Sequence, residues 1–217
     1  MKNSSILKRA LFASATCLAL STVPVAQATP LVATGWANGH ESFTVSNHAG
    51  SVNAGGFSGT WGGIPLVFWC YEMGQSFSLP GTYNDYTAVP LVNARLSALF
   101  ETDLGSALGG PVNVNSAAFQ LAIWNIIYDN DNLVNSGAWS ASGDANAINL
   151  ANTWLAGLPA TSTLGLIQLT SREHQDFVTP GGPLQLVPEP SPLPLLAAAF
   201  ALMMFAMRRR NVGSHRT

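Results

Sequence analysis

The most constraining feature of the sequence is an almost wholly apolar stretch, residues 117–129, that contains neither Gly nor Pro. Its apolar side chains recur at helical spacing and form a wide face, which predicts a helix packed in the core. Ser116 precedes the stretch and is the predicted N-cap. Gln120 lies in the first turns of this helix, where a buried carboxamide must find hydrogen-bond partners. The sequence therefore predicts that the Gln120 carboxamide has a hydrogen-bond partner elsewhere in the chain.

The order of the remaining segments predicts the fold class. Alternating or continuous apolar runs typical of strands come first, a block of helical patterns follows, and strand patterns return near the end. This order favours an α+β fold, with an antiparallel sheet or barrel-like β part and a packed subdomain of about three helices. The flanking helices are predicted at 90–104 and from Ser142 or Asp144 to Leu155, and the strands at 41–46, 64–71, 83–89, 163–170, 175–178 and 184–187.

The N-terminal segment has the three parts of a signal peptide. Lys2, Lys8 and Arg9 form a basic region, and residues 10–20 form a mostly apolar one. Ala26-Gln27-Ala28 then supplies a small-residue cleavage site. We expect residues 1–28 to be removed and the mature, exported protein to begin at Thr29.

The C-terminal segment also has three parts in a fixed order. Pro188-Glu189-Pro190 precedes a short apolar run, residues 193–207, and Arg208, Arg209 and Arg210 follow it. A membrane-spanning helix needs about 20 apolar residues, so this run is marginally long. The basic end predicts that its C-terminus stays on the cytoplasmic side. A plain C-terminal anchor is the simpler alternative.

These three parts resemble the PEP-CTERM sorting signal of Gram-negative bacteria, with Pro188, Glu189 and Pro190 matching its tripeptide. The resemblance covers residues 187–217. It implies that the precursor is held transiently in the inner membrane through residues 193–207 and that an exosortase removes the tail. It also implies a location at the cell surface or in an extracellular matrix such as a biofilm.

The charge of the segment between the two ends excludes one class of partner. All of the 11 acidic residues except Glu189 lie between Thr29 and Val187, whereas the only bases there are Arg95 and Arg172. Such an acidic, lysine-free segment lacks the basic surface that nucleic acids require. We therefore expect no nucleic-acid binding.

Cysteine usage leaves one thiol in the mature chain. Cys17 lies in the signal peptide, so Cys70 has no intramolecular partner for a disulfide in an oxidising compartment. An exported cysteine of this kind is buried and inert, paired between chains, or used chemically. The sequence around it, Phe68-Trp69-Cys70-Tyr71, places the thiol on a predicted buried strand between aromatic residues.

Cys70 and the helix that carries Gln120 resemble the bacterial Cys–Gln thioester domain, which is found in surface adhesins. Gln120, Ala122, Ile123 and Trp124 match its Gln-x-Ala-Ile-Trp helix, and Cys70 takes the place of its cysteine. Phe119 departs from the pattern, since many members have Thr or Gln before the reactive glutamine.

The resemblance implies that residues 29–186 form one thioester-like domain. In the family, the cysteine sulfur attacks the glutamine carboxamide, ammonia leaves, and the internal thioester acylates an amine on a partner surface. Such a bond must be protected from water, and the side chains suited to that protection are Phe68, Trp69, Phe119 and Trp124. We expect no cofactor, no metal site and no turnover enzyme. It implies an adhesion module that attaches to amine-bearing molecules or exopolysaccharide.

Other patterns are weaker. Asp129 and Asp131 resemble the start of a calcium loop, but the Gly and the closing Glu of an EF-hand are missing, so a solvated loop is the better interpretation. The histidines His40, His48 and His174 lack zinc-ligand spacing. No hydrolase motif occurs, although Glu41 and Glu72 would be the carboxylates available to a glycosidase.

The alternative function is therefore a structural or carbohydrate-binding matrix protein in which Cys70 is inert. Four tryptophans are available to stack on sugars, although core packing is the default role for each: Trp36, Trp61, Trp139 and Trp154.

Overall fold

The computed structural model describes residues 29–182 of the chain. The predicted signal peptide at 1–28, the sorting tail at 187–217 and the possible strand at 184–187 lie outside the described residues. In the described part, no helix is long and apolar enough to cross a membrane.

The described chain has an α+β fold with two antiparallel sheets and three helices, which confirms the predicted class. Strands dominate the first and last parts, and the helices lie between them. In chain order the elements are β1 (Leu31–Trp36), β2 (Glu41–Val45), β3 (Ser51–Ala54), β4 (Phe57–Trp61), β5 (Ile64–Cys70), β6 (Gly81–Tyr83), β7 (Thr87–Leu91), α1 (Ala94–Gly109), α2 (Val114–Tyr128), β8 (Ala141–Ser142), α3 (Ala145–Gly157), β9 (Leu166–Thr170) and β10 (Phe177–Pro180).

The larger sheet is curled and has seven strands in the spatial order β6-β1-β4-β5-β10-β9-β7. Its edges are β6 and β7, so the described strands form an open sheet and not a closed barrel. Strand β5 lies at the centre, between β4 and β10. The second sheet is small, with the order β3-β2-β8.

The turn between β4 and β5 fixes the register of the central strand. Gly62 and Gly63 have φ of 56° and 84° and connect Trp61 to its partner Ile64. Two consecutive positive φ angles are those of a tight type I′ hairpin, which glycine adopts without a steric penalty. This register pairs Phe57 with Phe68 and leaves Cys70 at the end of β5.

Helix α2 is the centre of the fold, as its composition predicts. Every residue from Asn115 to Ile126 is buried, and the helix packs against α1, α3 and β3. A helix that is apolar on all sides is stable only when other elements cover it on all sides.

The start of α2 differs from the prediction. The helix begins at Val114, and Asn113 is its N-cap residue, so the prediction that Ser116 caps it is wrong. Ser116 lies within the first turn, fully buried, and its Oγ accepts a hydrogen bond from Gly56 N at 2.9 Å. Asn113 has a φ of 70°, and its side chain accepts from His40 N at 3.2 Å instead of capping its own helix. Both side chains thus tie the helix to the β part.

The other boundaries follow local capping chemistry. Helix α1 begins after Asn93, whose side chain accepts from Leu96 N at 3.1 Å, so the predicted start at residue 90 is too early. Helix α3 begins after Asp144, whose side chain accepts from Ala147 N at 2.8 Å, which confirms one of the two predicted starts. The single strand predicted at 83–89 is two strands, β6 and β7.

Candidate functional site

Cys70 is the last residue of β5 and is nearly inaccessible. It pairs with Phe177 of β10, and its exposed fraction is 4%. The continuous apolar run of β5 accounts for this burial, because strands at the centre of a covered sheet are apolar on both faces. Cys70 is a free thiol in the described chain.

Gln120 is fully buried on α2 and makes two hydrogen bonds to the main chain of Cys70. Cys70 N donates to Gln120 Oε1 at 2.9 Å, and Gln120 Nε2 donates to Cys70 O at 2.9 Å. The carboxamide therefore spans both polar main-chain groups of the cysteine. The fold brings together the two residues that the sequence predicted to be partners, and it does so across 50 positions of sequence.

The Cys70 thiol stays protonated at neutral pH. Burial raises its pKa, the negative charge of Glu72 raises it further, and a main-chain hydrogen bond opposes them only in part. A buried thiol in apolar surroundings is a poor nucleophile in water, because the thiolate is the reactive species. Any reaction of Cys70 with Gln120 must therefore move the thiol proton as the new bond forms.

The four predicted shielding residues are all buried, but they do not form one wall. Trp69 and Phe119 pack together, with ring centroids 4.9 Å apart, and both contact Phe100. Phe68 belongs to a separate aromatic cluster with Phe177, at 4.8 Å. Alternation along β5 explains the separation, since successive side chains of a strand point to opposite faces.

A cavity of about 330 Å³ reaches Cys70 from the outside. Trp124 lines it together with Cys70, so of the four shielding residues Trp124 is the one at this opening. Trp36 and Phe57 supply an aromatic wall, with ring centroids 4.6 Å apart. None of the lining residues is Asp, Glu, Lys or Arg.

Trp124 carries an unpaired donor. Its side chain is 1% exposed, and its Nε1 has no hydrogen-bond partner among the described residues. A buried N–H without a partner is costly, and most such groups in proteins are paired. Three further buried side-chain atoms lack a hydrogen-bond partner among the described residues: the donor Trp69 Nε1 and the acceptors Glu72 Oε1 and Asn125 Oδ1.

The segment after Cys70 is held by residues that the sequence did not single out. Tyr128, at the end of α2, accepts a hydrogen bond from Met73 N through its hydroxyl at 2.9 Å. Gln175 Nε2 donates to Glu72 O at 2.6 Å. These contacts fix the main chain beyond the thiol, and they depend on tertiary packing that no local pattern indicates.

The acidic loop after α2 is organised by Arg95. Its guanidinium donates to Asn130 O, Asn130 Oδ1, Asp131 O and Asn132 Oδ1 at 2.7–2.9 Å. Hydrogen bonds from Asn125 and from Leu133 N lower the pKa of Asp131. Within residues 29–182, no three His, Cys, Asp or Glu side chains come together as a metal site would require.

A serine, a histidine and an aspartate meet elsewhere at the surface, but not in the order that nucleophilic catalysis needs. Ser171 Oγ and His174 Nδ1 both bond to Asp85 Oδ2, and the latter distance is 3.0 Å. Ser171 Oγ also accepts from the main-chain N–H of Glu173 and of His174. A triad requires the imidazole between the hydroxyl and the carboxylate, whereas here the carboxylate lies between the other two. The cluster ties the segment before β7 to the β9–β10 connection.

No protein-family model, no curated protein and no solved structure matches the chain.

Proposed function

We propose that the protein is an exported attachment module in which Cys70 and Gln120 form an internal thioester. The observation that carries the proposal is the pair of 2.9 Å hydrogen bonds between the Gln120 carboxamide and the main chain of Cys70. A side chain that is hydrogen-bonded at both of its polar atoms has little freedom, and such restricted geometry lowers the entropic part of the barrier to an intramolecular reaction. The sequence resemblance to Cys–Gln thioester domains points to the same two residues.

The proposed bond forms by a balanced acyl transfer. Cys70 Sγ attacks Gln120 Cδ, and the developing negative charge falls on Oε1, which already accepts the N–H of Cys70 at 2.9 Å. The carbon–nitrogen bond then breaks, the thiol proton passes to the leaving nitrogen, and ammonia departs. Because Gln120 Nε2 donates a hydrogen bond to Cys70 O, the position of the leaving nitrogen is also fixed before the reaction.

Burial supports the survival of such a bond. Cys70 is 4% exposed and Gln120 is fully buried, so water has little access to the acyl carbon. The activated carbonyl would then persist until a nucleophile of the right shape enters the cavity. In the proposed function this nucleophile is an amine on a partner surface, as the resemblance implies.

The two terminal segments of the sequence indicate where the protein acts. From the predicted signal peptide and the PEP-CTERM-like tail we infer that an exosortase processes the protein and that it acts at the cell surface or in the extracellular matrix of a Gram-negative bacterium. An attachment module without lysines of its own also avoids acylating lysine side chains of its own, and the only two lysines, Lys2 and Lys8, lie in the predicted signal peptide.

A second function is favoured by the same two hydrogen bonds. They satisfy one donor and the acceptor oxygen of Gln120, so the residue is also explained as a structural clamp between α2 and β5. In that alternative Cys70 is an inert buried thiol, and the protein is a structural or carbohydrate-binding component of a biofilm matrix.

The intact mass of the purified protein separates the two functions. If the thioester forms, the wild type is lighter than its sequence by the mass of one ammonia, and Cys70→Ala shows no such deficit. Methylamine then adds to the wild type and releases a free thiol. A wild-type mass equal to the sequence mass, with a titratable thiol after unfolding, leaves only the structural alternative.

A further inference from the structure

We infer that Glu72 is the general base of thioester formation, which takes the proton from Cys70 Sγ and passes it to the leaving nitrogen of Gln120. The inference rests on the proposed function and names the residue that moves the proton in that reaction. It is carried by an unpaired oxygen of Glu72, by the closeness of this residue to the thiol, and by the contacts that hold its main chain.

The carboxylate of Glu72 has a buried oxygen without a partner. The residue is half-buried, and its Oε1 is covered from water and makes no hydrogen bond within residues 29–182. Such an acceptor is costly, and nearly all buried polar atoms in proteins are paired. Because a carboxylate oxygen only accepts, the group that pairs with it must bring a proton. Oε1 is therefore suited to receive a proton from inside the protein.

The Cys70 thiol lies within reach of this oxygen. Cys70 and Glu72 are two positions apart, and two residues of extended chain span at most about 7 Å. In the unreacted chain Glu72 Oε1 is not bonded to Sγ, and the hydrogen bonds of a proton transfer often form only as the reaction proceeds. Turning the Glu72 side chain toward the thiol breaks no hydrogen bond of Oε1, since this atom has none.

The charge of Glu72 favours direct transfer over a free thiolate. While the carboxylate is ionised, its charge raises the pKa of Cys70 and so opposes loss of the thiol proton to water. When the carboxylate itself takes up the proton, its charge disappears as negative charge develops on sulfur. The nucleophile therefore forms only at the moment of attack.

The main chain that carries Glu72 is fixed on both sides. Gln175 Nε2 donates to Glu72 O at 2.6 Å, and Met73 N donates to the Tyr128 hydroxyl at 2.9 Å. Gly74 leaves room for the side chain, since a Cβ at this position would lie 3.1 Å from Glu72 Oε2. The carboxylate therefore moves on a fixed base, which keeps it near the thiol.

The other carboxylate at this end of β5 is already engaged. Asp176 accepts the Tyr71 N–H through its main-chain oxygen at 2.8 Å. Its Oδ1 accepts from Ser171 N at 2.9 Å, and its Oδ2 accepts from Gln168 Nε2 at 3.0 Å. A proton acceptor that must move is better supplied by Glu72, whose Oε1 has no bond to lose.

The proposed proton transfer is balanced without another reagent. Cys70 Sγ gives its proton to Glu72 Oε1 and attacks Gln120 Cδ, and the negative charge falls on Gln120 Oε1, which accepts the Cys70 N–H at 2.9 Å. The carbon–nitrogen bond then breaks, and Glu72 passes the proton to the leaving nitrogen. The products are the thioester, ammonia and the restored carboxylate.

The test measures the rate at which the purified full-length chain closes its thioester. Ammonium chloride opens the bond and restores the Gln120 carboxamide and the Cys70 thiol. After the salt is removed, intact mass follows the loss of ammonia with time. We expect Glu72→Gln to close about 100-fold more slowly than wild type, the lower end of what a general base contributes. Glu72→Asp keeps a carboxylate and should close faster than Glu72→Gln, and Glu173→Gln, at the exposed surface, is the matched control and should close at the wild-type rate.

A second readout separates proton transfer from structural support. In the Gln120→Leu background, Glu72→Gln removes a charge that raises the pKa of Cys70, so a disulfide reagent should react with the folded chain faster. Slower closing together with a faster external reaction is the expected signature of a base. Urea denaturation shows that each variant is folded.

The pH dependence of closing in wild type needs no variant and remains decisive if Glu72→Gln does not fold. Between about pH 7 and pH 9, carboxylates are ionised and the Cys70 thiol, whose pKa is raised, stays protonated. With Glu72 as the base, the rate should stay level across this range. A rate that instead follows the thiolate rises about 10-fold per pH unit.

The outcomes separate the inference from the function on which it rests. A wild-type chain that shows the ammonia deficit, with Glu72→Gln closing at the same rate, overturns the role of Glu72 and keeps the thioester. Slowing of both the closing and the external reaction in Glu72→Gln, or a wild-type rate that rises about 10-fold per pH unit, also overturns that role. A wild-type chain without the deficit overturns the proposed function itself.

Discussion

Gln120 bonds to both main-chain polar groups of Cys70, with each donor–acceptor distance at 2.9 Å. The carboxamide thereby completes the hydrogen bonding of the end of β5 in a place where no neighbouring strand does so. It also sets the acyl carbon beside the residue that carries the thiol. The same contact thus has a structural role that does not depend on the thioester, and the two roles can be measured separately.

The structural role is isolated in a background that cannot form the thioester. We expect the double variant Cys70→Ala, Gln120→Leu to have a free energy of unfolding about 3 kcal/mol lower than Cys70→Ala alone. Leucine fills the space but leaves a buried N–H and a buried carbonyl unpaired, each at a cost of about 1–3 kcal/mol. Urea denaturation monitored by tryptophan fluorescence measures the difference.

The matched control for this comparison is Gln75→Leu in the same Cys70→Ala background. Gln75 makes one hydrogen bond, to Arg172 O at 3.0 Å, near the surface. Its loss should cost less than about 1 kcal/mol, because water replaces an exposed partner. Equal costs at the two glutamines would show that the Gln120 clamp adds nothing specific.

Ser116 gives a second stability prediction. Its Oγ accepts the Gly56 N–H at 2.9 Å and is fully buried, so Ser116→Ala leaves that N–H without a partner. We expect the free energy of unfolding to fall by about 1–3 kcal/mol. Ser106→Ala, on an exposed turn of α1, is the control and should change stability by no more than about 0.5 kcal/mol. Similar small effects at both serines would contradict the structural role of Ser116.

The sequence predicts the helices better than the first strands, and the reason is physical. The stretch around Gln120 is apolar and free of Gly and Pro, so local preference and burial agree there. Strand β4 instead contains Ser58-Gly59-Thr60, which resembles a loop. A side chain at Gly59 would lie 2.0 Å from Val32 O, so the pairing of β1 with β4 needs a glycine there. A residue that opposes strand formation locally is required by the close approach of two strands.

The contact between Cys70 and Gln120 was predictable from the sequence, whereas the surroundings of the two residues were not. Cys70 and Gln120 were identified from short patches that resemble a known motif, and their contact in space agrees with that pairing. The cavity, the unpaired Trp124 N–H and the contacts of Tyr128 and Gln175 arise from elements distant in sequence. The predicted capping role of Ser116 failed because helix starts depend on main-chain angles, and Asn113 takes the cap position at a φ of 70°.

The carboxyl group of Asp85 makes the free energy of unfolding depend on pH in the acid range. Burial works to raise its pKa, but hydrogen bonds from Ser171 and His174 outweigh it, so the pKa of Asp85 is lowered in the folded state. A carboxyl group whose pKa is lowered by folding stabilises the fold at pH values above its pKa in the unfolded chain, which is about 3.9. This contribution is lost as pH falls through the pKa of the folded state. Asp85→Asn should therefore destabilise the protein at neutral pH, and the difference from wild type should shrink below about pH 4.

The measurement for Asp85 is the free energy of unfolding of wild type and variant across the acid range. Glu41→Gln on β2 is the control, because the Glu41 side chain makes no hydrogen bond to the described residues. A deficit in Asp85→Asn that stays constant from pH 7 to pH 2 would show that Ser171 and His174 do not act on the charged form of Asp85.

The reactivity of the Cys70 thiol bears on both proposed functions. Gln120→Leu cannot form the thioester and keeps the thiol free. Burial first, and the charge of Glu72 second, raise the pKa of Cys70. We expect a chromogenic disulfide reagent to react with the folded variant about 100-fold more slowly than with the same chain in urea. The rate should continue to rise above pH 8.5, where the rate of an exposed thiol levels off.

Glu72→Gln in the Gln120→Leu background tests whether the charge of Glu72 raises the pKa of Cys70. Removing the negative charge lowers the pKa of Cys70, so the thiol should react faster with the reagent at a given pH. Glu173→Gln, at the exposed surface, is the control and should leave the rate unchanged. A folded protein that reacts as fast as the unfolded chain, with a plateau near pH 8.5, would place Cys70 in open contact with water. A thioester at such a cysteine would hydrolyse before it met a partner, so this result would count against the attachment function as well as against the burial of the thiol.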